Sequence, residues 1–159
     1  MPVYQPKVPV CVAIGCSAVA LVCQFVAMVG TGWMKMLGSS QYGLFCTSDI
    51  CNFGTGDGGW IKACQAFSIL ALLTITASLV LGVVPIFKED TQKLTLLARF
   101  CSLAAAGCVA VEVGVFLGKT VGDVIQLYPL QFYGYCFFLS IVVGILMVVT
   151  SILHKPEAT

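Results

Sequence analysis

Residues 8–30 read VPVCVAIGCSAVALVCQFVAMVG, a run without one charged side chain. At about 1.5 Å rise per residue, a helix over this run reaches roughly 34 Å, enough to cross a bilayer with some tilt. Three more stretches follow that meet the requirement of roughly 20 mostly apolar residues. Residues 63–87 are bounded by Lys62 and by Lys88-Glu89-Asp90; residues 94–118 carry Arg99 and Glu112; residues 132–153 are charge-free. The expected organisation is one membrane domain over 1–159, with spans near 8–30, 63–87, 94–118 and 132–153. Its outer loops are then 31–62 and 119–131. A cleaved signal peptide is the poorer reading of the first run, which is too long and ends in no A-x-A-like site.

Composition agrees. Of 159 residues, 59% are hydrophobic and only 9% charged, and mean hydropathy is +1.01. A soluble domain carries about 25% charged residues. A free-standing soluble enzyme and a disordered linker are therefore excluded. Eight basic against seven acidic residues leave a net charge of +1, so there is no basic face for phosphate and no nucleic-acid partner is expected. A single histidine, His154, offers neither a His-based metal site nor a Ser/His/Asp triad. No enzyme activity, catalytic residue, metal, cofactor or small-molecule substrate is expected; the lipid bilayer is the first partner.

Orientation follows from Lys and Arg in short loops. With both termini cytosolic, Lys7, Lys88, Lys93, Arg99 and Lys155 lie inside, and Lys35, Lys62 and Lys119 outside. Cysteine supports that direction. Among nine cysteines, Cys46 and Cys51 alone fall in a polar loop, and in an oxidising compartment they can close a small ring or stay unpaired. Cys11 and Cys101 near the cytosolic boundary are candidates for palmitoylation.

Small residues recur at three- and four-residue spacings. Span one has Ala13, Cys16, Ala20, Cys23, Ala27 and Gly30, with Ser17, Gln24 and Thr31 running beside them. Span three has Ala104, Gly107, Val111, Gly114 and Gly118; span four has Ser140, Gly144 and Ser151. Lipid gives helices no hydrophobic reason to associate, so such seams mark close backbone approach. Packing within a four-helix bundle is the expected use, dimerisation the competing one. Glu112 is the residue that costs most, since a mid-membrane carboxylate is penalised by roughly 2.5–3.5 kcal/mol on insertion scales. On the helix it shares a side with Ala105 and Cys108. It is expected to be a packing anchor in the outer half of its span, with an ion or ligand role as the alternative.

Trp33 and Trp60 bracket the first outer loop and are expected at the water interface. Between them stand Gly43-Leu44-Phe45-Cys46, Cys51 and the glycine-rich 54–59 segment, whose Asp57 is one carboxylate and no calcium site. The second outer loop carries Val124, Ile125, Leu127 and Tyr128, apolar residues suited to a partner or the membrane surface.

This pattern resembles the superfamily of claudins, epithelial membrane proteins and peripheral myelin protein, in which a tryptophan follows span one, then Gly-Leu-Trp and two cysteines. Trp33, Gly43, Leu44, Phe45, Cys46 and Cys51 fill those places. Residues 60–67 are similar to the family's entry into span two and residues 133–139 to its entry into span four. Phe45 replaces the motif tryptophan, the intervals are short, and the terminal Pro156-Glu157-Ala158-Thr159 lacks the hydrophobic end that claudins offer to PDZ domains. The chain is identified as a divergent, short, invertebrate-type member. The resemblance implies an all-α membrane protein: a left-handed bundle of four transmembrane helices topped by a small extracellular antiparallel sheet, stapled by Cys46–Cys51. It also implies a plasma-membrane protein acting in cell–cell adhesion, junctions or paracellular barriers, with copies of itself or other membrane proteins as partners. The alternative is an accessory subunit of a larger complex such as an ion channel, docked through span one.

Overall fold

The computed structural model describes residues 8–35, 41–45, 59–87, 92–127 and 132–154. Four long helices account for most of them: α1 (Val8–Val29), α2 (Gly59–Val83), α3 (Gln92–Leu127) and α4 (Tyr135–Leu153). All four are long and apolar enough to cross a membrane, and the protein is a multi-pass membrane protein. Pro85 explains why α2 ends where it does. It has no N–H to continue the ladder, and the chain tightens there into a 3-10 turn, Val84–Ile86. The third helix continues to Leu127, well past the Gly118 expected from hydropathy. Val124, Ile125 and Leu127 therefore belong to a helix and not to a loop; their side chains, and Tyr128, lie outside what is described.

Each helix buries one narrow stripe. In α2 it is Ile61, Cys64, Ser68, Ala71, Ile75, Ser78 and Gly82; in α1 it is Ala13, Ser17, Ala20, Gln24 and Ala27. Steps of three and four average 3.5 residues, the period at which helices wrap left-handedly around one another. Ser17 and Gln24 are thus members of the α1 seam and do not run beside it. Cys16 and Cys23 are only half-buried.

For α3 the expected face is the wrong one. Its buried residues are Ala98, Ser102, Ala105, Val109, Glu112, Phe116 and Thr120, whereas Ala104, Gly107, Val111, Gly114 and Gly118 are exposed. A Cβ added at Gly107, Gly114 or Gly118 would meet nothing within 4 Å. A small-residue seam announces a helix contact without saying which helix makes it. Here the bundle is packed through the neighbouring stripe.

At one end, three two-residue strands pair in the order β2-β1-β3. β1 (Met34–Lys35) lies antiparallel to both β2 (Gln41–Tyr42) and β3 (Phe132–Tyr133), with Met34 opposite Tyr42 and Tyr133. The pairing joins the chain leaving α1 to the chain entering α4. Gly134 N–H donates to Trp33 O and Cys136 N–H to Gly32 O, each at 3.0 Å. Below the strands the core divides into two apolar clusters. The upper contains Ala27, Trp33, Leu44, Cys64, Phe116 and Phe137; the lower contains Ala20, Ala71, Ile75, Val109, Val143 and Met147.

Candidate functional site

Two constellations stand out: an aromatic cap under the strands, and a polar layer between the two apolar clusters.

The cap is built around Phe116, which is fully buried. Its ring centroid lies 5.0 Å from Trp33, 5.7 Å from Phe137 and 6.2 Å from both Trp60 and Tyr133. Tilted contacts at such distances match the ring quadrupoles. Trp33, expected at the water interface, has no exposed surface. The physical reason is in its hydrogen bond: Trp33 Nε1 donates to Ala27 O at 2.7 Å. Ala27 is in the last turn of α1, where carbonyls lack helical partners. The indole satisfies one of them while its apolar body closes the bundle. Tyr133 reaches the cap from β3: Thr120 donates to Phe116 O at 2.8 Å, which leaves Tyr133 as donor in its 3.1 Å bond to Thr120.

Gly43, Leu44 and Phe45 each have a separate structural task. A Cβ on Gly43 would stand 2.9 Å from Gly30 O and 2.9 Å from Thr31 Cα, so only glycine lets this turn lie on the end of α1. Leu44 is buried in the upper cluster and its carbonyl accepts from Gln65 Nε2 at 2.7 Å, which ties the loop to α2. Phe45 packs against the same cluster. Cys46 and Cys51 lie outside the described residues. Gly134 is tighter still: a Cβ there would overlap the Gly32 carbonyl oxygen and stand 2.6 Å from its carbon.

The polar layer is centred on Glu112, which is fully buried. Gln24 Nε2, from α1, donates to Glu112 Oε2 at 3.3 Å and to Ser68 Oγ at 3.0 Å. Three helices are thereby joined by three side chains. Cys64 adds a weak bond, Sγ to Glu112 O at 3.6 Å. Nearer the other end, Ser78 and Ser102 bond at 2.7 Å across α2 and α3. Sequence reasoning singled out Glu112 but not Ser68, and it set Gln24 apart from the seam. The signal for both was present: serine and glutamine side chains in lipid-spanning runs can hydrogen-bond across to neighbouring helices. At the same end as Ser78, His154 is buried, its ring Cε1 3.3 Å from where a Cβ on Gly82 would stand. Burial pushes its imidazole pKa below the ordinary histidine value.

No protein-family profile matches the chain. Epithelial membrane protein 1 of Rattus norvegicus is 30% identical over 137 aligned residues, covering 79% of this chain and 86% of that protein. The chain belongs to the epithelial membrane protein family. Within that family's tetraspan plan, Trp33, Gly43, Leu44 and Phe45 come together at one end of the bundle. Glu112 sits apart from them, below the aromatic cap.

Proposed function

We propose that this epithelial membrane protein relative acts at the plasma membrane in cell–cell adhesion, junction or paracellular barrier organisation. In this reading the strand-bearing end is extracellular, both termini are cytosolic and the helices pack with a left-handed twist. The short strands form a small outer sheet, and Cys46–Cys51 staples the first outer loop. Alkylation without reduction, followed by mass spectrometry, tests the staple; two free thiols would refute it.

The observation that carries the reading is the outward face of α3. Gly107, Gly114 and Gly118 are exposed with open space over their Cα atoms. Beside them an apolar groove of about 390 Å³ runs between α3 and α4, lined by Ala106, Ala110, Val113, Ile141, Gly144 and Val148. Small residues facing lipid favour close approach of another helix, as lateral assembly with copies of this chain or other membrane proteins requires.

The same face supports the second reading, an accessory subunit of a larger membrane complex. α3 then replaces span one as the docking helix, because the α1 seam is buried within the bundle. One experiment separates the two. The chain is expressed in cells lacking such proteins, mixed with untransfected cells, and imaged. Enrichment at borders between two expressing cells supports adhesion. Uniform surface distribution, with stoichiometric co-purification of one large membrane protein, supports the subunit role instead.

A further inference from the structure

The polar layer has a fourth member. Cys136 Sγ stands 3.9 Å from Val26 O, and a Cβ on Gly144 would stand 3.5 Å from Val109 Cγ1. Ser140 lies one turn from each of these α4 residues, on the side that leads toward the other. On α1 and α3 the same level falls at Gln24 and Glu112, each between a residue of the upper cluster and one of the lower, Ala27 and Ala20 on α1 and Phe116 and Val109 on α3. The clusters give the same answer: Phe137 is in the upper one and Val143 in the lower, so Ser140 falls between them. Ser140, Gln24, Ser68 and Glu112 all have no exposed surface.

The hydrogen-bond inventory of this layer is incomplete in a specific way. Both Gln24 amide hydrogens are engaged, by Ser68 and by Glu112. Gln24 Oε1, Glu112 Oε1 and Ser140 Oγ have no partner among the described residues. Two acceptors and one hydroxyl remain. A water molecule supplies the complement, with two hydrogens to donate and a lone pair to accept. Buried waters typically make about three hydrogen bonds to otherwise unsatisfied polar groups. A metal cation would serve the two acceptors but give the Ser140 hydrogen no acceptor. Among the described residues it would also find only these three unpartnered oxygens, where hard cations such as calcium gather about six to eight.

We propose that one ordered water is bound at this level, donating to Gln24 Oε1 and Glu112 Oε1 and accepting from Ser140 Oγ. It extends the layer from three helices to four: Ser68 of α2 to Gln24 of α1, Glu112 of α3 beside them, and Ser140 of α4 through the water. A single-water site between two dry clusters is a structural ligand site inside the membrane.

The test is water-to-amide cross-relaxation measured by NMR on the full chain in lipid nanodiscs, with the glutamine side-chain amides labelled. The Gln24 amide should show a cross-peak with the sign of a long-lived bound water. The Ser140→Leu variant, which fills the space, should lose that cross-peak while other resonances persist. A folded wild-type protein without the cross-peak overturns the proposal, whether or not the variant folds. So does a cross-peak unchanged in folded Ser140→Leu. Thermal stability in sodium or potassium against N-methylglucamine forms the other arm. A midpoint raised by the metal cation in wild type but not in Glu112→Gln would assign the site to a cation and overturn the water.

Discussion

Replacing Glu112 by glutamine and by leucine separates its hydrogen bonding from its charge. In wild type the carboxyl accepts from Gln24 Nε2 at 3.3 Å. Leucine removes both carboxyl oxygens at once, leaving one Gln24 hydrogen unpaired in a site without exposed surface. Interhelical hydrogen bonds in membrane bundles average about 0.6 kcal/mol and reach about 1.7. An orphaned buried donor costs about 1–3 kcal/mol. One orphaned donor, partly offset by the apolar contacts that leucine gains, gives an expected loss of about 1–2 kcal/mol. Glutamine keeps a carbonyl oxygen toward Gln24 and puts an NH2 in place of the second oxygen, to which a water can turn a lone pair, so Glu112→Gln should stay within about 0.5 kcal/mol of wild type. Thermal unfolding in mild detergent, followed by circular dichroism, ranks the three proteins. Glutamine as damaging as leucine would refute the reasoning, because charge and not hydrogen bonding would then be what the bundle uses. A fully folded Glu112→Gln protein that has lost function would refute the anchor role itself.

Gly134→Ala must move the strand from the Gly32 carbonyl, and a loss of about 3 kcal/mol is expected from overpacking against backbone; wild-type stability in the same detergent assay would contradict the strand pairing. Gly114→Leu, on the open face of α3, should leave stability within about 0.5 kcal/mol while reducing lateral cross-linking of the chain in membranes; unchanged cross-linking would remove that face from the assembly. Burial lowers the pKa of His154 in the folded state, so the unfolded chain binds the proton more readily. Its contribution to stability is full above about pH 6.5, the ordinary histidine value, and falls as pH drops below it. The unfolding midpoint should decline below that pH in wild type and stay flatter in His154→Asn; parallel curves would refute the assignment.

Four helices were legible because each is a long apolar run, and in lipid a single such segment satisfies its own backbone only as a helix. That Glu112 faces inward was equally legible, since its cost in lipid is large. The partition of faces was not. On α3, glycine and alanine at 104, 107, 114 and 118 look like a packing seam, yet the bundle is packed through Ala105, Val109, Glu112 and Phe116. Small side chains permit close approach without requiring it, whereas a buried carboxylate does require a partner. Reading the polar residues first would have found the interior stripe, because Ser102 and Glu112 lie on it as Ser17 and Gln24 lie on that of α1. The placement of Trp33 was hidden for another reason. Interfacial preference is an average over tryptophans with one wet edge, and here the indole N–H finds Ala27 O within the protein.

Site-directed cysteine accessibility tests most directly the claim that this bundle presents its strand-bearing end outside the cell. With native cysteines replaced, single cysteines at Thr55 and Asp123 should react with a membrane-impermeant maleimide in intact cells. One at Thr91 should react only after permeabilisation. Labelling of Thr91 from outside, with Thr55 and Asp123 protected, would invert the molecule and contradict the proposed contact surface.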